Sequence, residues 1–205
     1  MLSDREASNS KKKNYFFETN SVAQLVQGYK GYDYSLVKRW TKNVSVFDIS
    51  KLFFPVNTDG IHWVCTDGIH WVCVVIAFEK KRIQAYNSSA EPRQNLCDML
   101  FQYLMDEGKT RKHDVVLNKD ECSIGARHRS IPIQTNVYDF GLFTCIFAYL
   151  LSMDRTLSFN QNDIDACRSS MKAAIETRDL AVMEDWFLKK HTRTLSITRK
   201  RKPSF

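Results

Sequence analysis

No stretch of about 18 apolar residues occurs anywhere in the chain, which excludes a membrane-spanning helix. The opening residues are polar and charged and contain no apolar core segment, so no secretory signal is expected. The six cysteines, at 65, 73, 97, 122, 145 and 167, form no C-x-x-C pair and no metal-ligand spacing. Neither a metal site nor a cofactor is therefore expected, and the thiols read as reduced core residues of a nuclear or cytoplasmic protein. Acidic residues are absent from the last twenty positions, which hold seven Lys or Arg. The chain has 30 basic and 23 acidic residues in all, so the remainder is electrically balanced and the net charge of +7 is a property of the tail. Arg199-Lys200-Arg201-Lys202-Pro203 suits a nuclear import signal and hence an importin, with a solvated tail as the plain alternative. No aromatics interleave with these bases, so nucleic-acid recognition is not expected.

What is present is a core large enough for one domain: 43% hydrophobic residues, including 13 Phe, in 205. Residues 72–78 are a continuous apolar run rich in β-branched side chains, the pattern of a buried central strand. Residues 82–86 alternate and suit the next strand, and 52–56 suit a third. Residues 91–107 place Leu96, Met99, Leu100, Tyr103 and Leu104 on one helical stripe, with Gly108 as the expected stop. Ser35 is expected to cap a helix through Lys42 with Leu36, Val37 and Trp40 on one face, and Asp139 a helix through Leu151. Further helices are expected at 22–26 and 160–178, and short strands at 114–117 and 130–134. Strands mixed with segregated helices give an α+β fold class.

The eight residues TDGIHWVC at 58–65 recur unchanged at 66–73. Either the first copy is a loop insertion, or 61–65 and 69–73 pair as a hairpin about Thr66-Asp67-Gly68. An even repeat keeps strand facing in both cases.

Several blocks carry a family resemblance. Pro132-Ile133-Gln134-Thr135-Asn136-Val137-Tyr138-Asp139-Phe140-Gly141 runs into the apolar helix, His70-Trp71 opens a strand, and Tyr86-Asn87-Ser88 ends the next, seventeen positions later. With 38–42, 52–56, 100–104 and 159–161, these resemble the SUMO (sentrin) specific proteases, the Ulp-type cysteine proteases, over roughly residues 13–180. The resemblance implies a papain-like cysteine protease fold, with a mixed central sheet flanked by helices. It implies His70 at the base position, Asn87 where the family has the orienting aspartate, and Gln134 at the oxyanion position. Trp71 falls on a tryptophan that helps cover the substrate tail, with a core aromatic as the plain alternative. The nucleophilic cysteine falls on Phe140, whose phenyl ring cannot become a thiolate. Val137 replaces a glycine, and the family's first helix has no counterpart before Lys11, so a domain shortened at its N-terminus is expected. His70 rather than His62 keeps the family spacing to Asn87. Asp139-Phe140-Gly141 also spells the kinase D-F-G, but no Gly-rich loop, catalytic lysine or H-R-D accompanies it.

The expected layout is a disordered leader at 1–12, a SUMO-protease-like domain at 13–185 and a basic tail at 186–205. The expected function is a catalytically inactive relative that binds SUMO or another ubiquitin-like protein. The alternatives are an active deSUMOylating isopeptidase with a displaced nucleophile, Cys65, Cys73 or Cys145, and a decayed relic.

Overall fold

The computed structural model describes residues 14–19, 32–58, 70–89, 91–113, 123–125 and 131–184. The chain divides into two compact units, 2–161 and 162–205. The first contains a five-stranded sheet in sequential order: β1 (Asn14–Phe16), β2 (Lys51–Asn57), β3 (Trp71–Ala77), β4 (Arg82–Tyr86) and β5 (Ser123–Gly125). The middle pairings, β2 with β3 and β3 with β4, are antiparallel, and the edge pairings are parallel. The one-turn helix α1 (Tyr34–Val37), α2 (Gln94–Arg111) and α3 (Phe140–Ser152) complete this unit. The fold is therefore a mixed α+β sheet with helices, as expected.

Strand register separates two faces. Val72, Val74 and Ile76 of β3 stand opposite Val56, Phe54 and Leu52 of β2, and Val74 and Ile76 oppose Ala85 and Ile83 of β4. This face meets the α2 stripe of Leu96, Cys97, Leu100, Tyr103 and Leu104 in one buried cluster. The opposite face carries Phe53, Cys73, Val75, Gln84 and Tyr86, and α3 packs on β3 from that side. Covering on both faces explains why β3 reads as an unbroken apolar run. Pro55 is tolerated inside β2 because β1 pairs only as far as Phe53, so among the described residues no strand partner waits for the missing N–H.

The buried carboxylate of Glu107 ties the end of α2 to the turn after α1. It accepts from Thr41 Oγ1 at 2.6 Å and Tyr34 Oη at 2.7 Å, and pairs with Arg111. This ion pair needs α2 to continue past Gly108, the expected stop. The helix ends instead at Lys112, which takes the left-handed conformation at φ 53° and donates to the carbonyls of Gly108 and Lys109.

Other expectations are corrected. The cap of α1 is Asp33, whose carboxylate accepts from Ser35 N at 2.8 Å, and not Ser35. Beyond Val37 the chain proceeds by turns closed from Trp40 N to Val37 O, Lys42 N to Arg39 O and Val44 N to Thr41 O, so no helix reaches Lys42. Leu36 is exposed, whereas Val37 is buried. Residues 131–134 form no strand: Pro132 lacks a donor, and the described pairing is Gln134 N to Ser88 O at 3.0 Å. The hairpin alternative for the repeat has no open edge at Cys73, where Pro55 of β2 and Tyr86 of β4 already pair. The leader, the helix at 22–26, the strand at 114–117, the first repeat copy beyond Thr58, Cys65, Cys122 and the basic tail lie outside the described residues. The four described cysteines, 73, 97, 145 and 167, are unbridged, though Cys145 is exposed and not a core thiol.

In the second unit α4 spans Ile164–Thr177, shorter at both ends than the expected 160–178. A 3-10 turn, Gln161–Asp163, leads into it, and Arg178 ends it in the left-handed conformation at φ 55°.

Candidate active site

Antiparallel pairing of Cys73 with Tyr86 brings the start of β3 and the end of β4 to one end of the sheet. His70 precedes β3 and Asn87 follows β4, and His70 Nε2 lies 2.5 Å from Asn87 Oδ1. Both residues are buried. The amide of Asn87 is oriented from behind: Nδ2 donates to Glu91 O at 2.9 Å, and Oδ1 accepts from Ser89 N at 3.1 Å. With Oδ1 thus the acceptor, the proton on His70 belongs on Nε2, and Nδ1 is left as the basic nitrogen. The backbone carbonyl of His70 accepts from Thr58 N at 2.8 Å and Thr58 Oγ1 at 3.1 Å, which anchors the residue to the end of β2.

Phe140 is the first residue of α3, and its half-buried ring meets the His70 imidazole edge to face, centroids 4.5 Å apart at 74°. Trp71 is also half-buried, with Cδ1 only 3.8 Å from where a Cβ on Gly141 would lie. His70, Trp71, Asn87 and the N-terminus of α3 therefore converge.

Gln134 sits beside them, but its side chain is engaged. Its Oε1 accepts from Ser88 Oγ at 2.5 Å, and its Nε2 donates to Asn136 O at 2.6 Å. An oxyanion would have to compete with that carbonyl for the amide protons.

Asp139 stands at the cap position of α3 as expected, yet its carboxylate makes no bond to the first turn. It is consumed by Asn136 Nδ2 at 2.6 Å and Gln161 Nε2 at 2.8 Å. Asn136 Oδ1 accepts from Asp139 N at 3.1 Å, and Gln161 Oε1 from Thr135 N at 2.9 Å. This knot fixes the approach of 134–139 to α3. Ser88, Asn136 and Gln161 had no assigned role from sequence, although each lies inside a motif block.

The displaced nucleophiles that the structure describes do not suit the task. Cys73 is buried, and loss of solvent pushes its thiol well above the ordinary range. Cys145 is exposed as a residue, but neighbouring atoms desolvate its sulfur and raise its pKa as well. Both shifts oppose thiolate formation. Cys65 lies outside the described residues. Among the described residues, no group of three His, Cys, Asp or Glu could hold a metal ion.

Comparison with known proteins identifies the family. Residues 2–183 match the Ulp1 protease family, C-terminal catalytic domain, and the chain belongs to that family. It is 34% identical over 139 residues to Sentrin-specific protease 2 of Pongo abelii and 31% identical over 138 residues to that of Homo sapiens, each covering 67% of this chain and 22% of the relative. The chain thus spans about a fifth of the length of these relatives. Among solved structures it is similar to the C-terminal Ulp1 protease domain in complex with Smt3, the yeast ortholog of SUMO. The TM-score is 0.61 at 25% identity, over 82% of this chain and 68% of that one. Ulp1 with its catalytic cysteine oxidised to a sulfonic acid shares the fold, with TM-score 0.66 at 24% identity over 89% and 75% of the two chains.

Proposed function

We propose that this chain is a SUMO-protease-like domain without peptidase activity that binds SUMO or a related ubiquitin-like protein. The observation that carries the reading is the Phe140 ring lying 4.5 Å from the His70 imidazole, at the first position of α3. In a working site of this class a thiol would stand there, held by the helix dipole and deprotonated by the histidine. A phenyl ring has no proton to give and no lone pair with which to attack an isopeptide carbonyl. His70 and Asn87 keep the geometry of a base and its orienting partner but have nothing to act on. Trp71 beside Gly141 supports a retained contact with a bound tail, and Gln134 holds the proposed oxyanion position with its amide turned to Asn136.

Two measurements test this. SUMO immobilised on beads should retain the chain, and a fluorogenic SUMO conjugate should be cleaved no faster than in buffer. Turnover that disappears on replacing Cys65, Cys73 or Cys145 would overturn the inactive reading. Absence of retention on SUMO and on other ubiquitin-like proteins would overturn the binding one. The basic tail supports nuclear entry through an importin, as a proposal separate from the site.

A further inference from the structure

The α3 face of the sheet carries a second concavity, which reaches from Ala77 and Arg82, at the end opposite His70 and Asn87, along β4 to Tyr86. From Trp71 to Ala77 the strand runs about 20 Å at the usual rise per residue. The cavity holds about 240 Å³. Its floor is formed by Val75, Ala77 and the buried side chains of Gln84 and Tyr86. Ala77 pairs with Arg82 and Val75 with Gln84, so the strand register itself aims these residues to one side.

The rim is strongly cationic. Among the described residues Lys51, Lys80, Arg82 and Arg155 line it against one acid, Asp154, a net of three positive charges. Asp154 is already shared: Lys51 Nζ donates to it at 2.7 Å and to Leu151 O at 2.8 Å, and Lys80 approaches it at 4.0 Å. Among the described residues neither Arg82 nor Arg155 has a carboxylate partner, though both are half-buried. Half-buried cations without counter-charge are costly. Gathered at a concave low-dielectric wall, they focus a positive potential into it. The guanidinium fork matches the oxygens of a phosphoryl group in pairs, and a net charge of three suits a dianion better than a single carboxylate. The apolar side chains of Val75 and Ala77 and the Tyr86 ring beside the cations suit the organic part of an ester, and the small volume excludes a duplex.

We propose that this cleft binds a small phosphate monoester, independently of the site at His70. The test uses the full chain titrated calorimetrically with phenyl phosphate and with inorganic phosphate. Saturable binding is expected for both, tighter for phenyl phosphate because its ring covers the floor. Binding should weaken at least tenfold in the double variant Arg82→Gln, Arg155→Gln and stay unchanged in Lys109→Gln, an exposed charge on α2. Thr156→Glu, which sets an acid at the exposed mouth of the cleft, should weaken binding to a similar degree and serves if the double variant does not fold. No saturable binding to the parent would overturn the proposal. So would full affinity in the double variant or in Thr156→Glu, which would assign the ions to other cations such as the basic tail.

Discussion

Replacing Phe140 by alanine tests whether its ring plugs the cleft beside His70 or merely occupies it. A fully covered aromatic side chain buries roughly 150–250 Å². Phe140 is half-buried, so its ring accounts for on the order of 100 Å², about 2.5 kcal/mol at 25 cal/mol per Å². The edge-to-face contact with His70 at 4.5 Å adds about 0.5 kcal/mol or more. Against this, alanine keeps its own Cβ covered, and a cleft open on one side refills with water at little cost. The net expected loss is roughly 2 kcal/mol, which for a chain of 205 residues lowers the melting temperature by about 4–8 °C. Thermal unfolding followed by circular dichroism reads this directly. The hydrogen bond between His70 and Asn87 is anchored from Glu91 and Ser89 rather than from the ring, so retention on SUMO beads should not change. A variant as stable as the parent, or more stable, would mean that the ring is solvated or strained, and the plugged-cleft reasoning would fail.

Phe140→Cys should yield weak cleavage of a fluorogenic SUMO conjugate that vanishes on adding His70→Ala, limited by Asn87 and by the Gln134 amide held on Asn136; robust turnover would show that these do not limit the site. Glu107→Ala strands Arg111, Thr41 and Tyr34 and should cost about 3–5 kcal/mol in urea unfolding, with a loss under 1 kcal/mol showing that the network is dispensable. Burial pushes the Tyr86 phenol up to about 12. The folded state thus holds its proton more tightly than the unfolded chain, and the stability this gives is full below pH 10 and lost as pH rises toward 12. Tyr86→Phe should flatten that alkaline loss by about 2–3 kcal/mol in denaturant titrations at stepped pH, and an unchanged slope would refute the assignment. Deleting residues 198–205 from a fluorescent fusion should shift it from nucleus to cytoplasm, and an unaltered distribution would remove the import proposal.

The strands were the most legible part of the sequence. Unbroken β-branched character placed β3 within one residue at each end, and alternation placed β4 without error, because both depend on local periodicity. Helix ends were less legible where two residue types competed. Asp33 and Ser35 can each cap, and only the carboxylate reaches the N–H of Ser35. Gly108 resembles a terminator, but its cost of about 1 kcal/mol does not end a helix that carries the buried Glu107 carboxylate and its half-buried partner Arg111 on either side of it. Within the site, motif spacing named His70, Asn87 and Phe140, and the structure places the three side by side. The commitment of Asp139 to Asn136 and Gln161 was hidden because it joins residues 22 positions apart. The cationic cleft was hidden for a related reason: it exists only once strand register sets Arg82 and the segment after α3 on one side.

The two parallel pairings at the margins of the sheet bear on how the molecule assembles in time. The β2–β3–β4 meander closes its inner contact through a tight turn, Ala77 against Arg82, whereas β1 meets β2 only after Asn14 finds Lys51, and β5 meets β4 only after Ser123 finds Arg82. Each marginal strand contributes three residues, so each repays a long loop closure with few hydrogen bonds. The antiparallel centre should therefore form first and exchange its amide hydrogens last, with both margins joining late and opening often. His70 and Asn87 border the early centre, and Phe140 arrives with α3, a contiguous helix that docks as one piece. On that order the histidine and asparagine should meet before the ring covers them, and fraying of the outer strands should leave their pairing untouched.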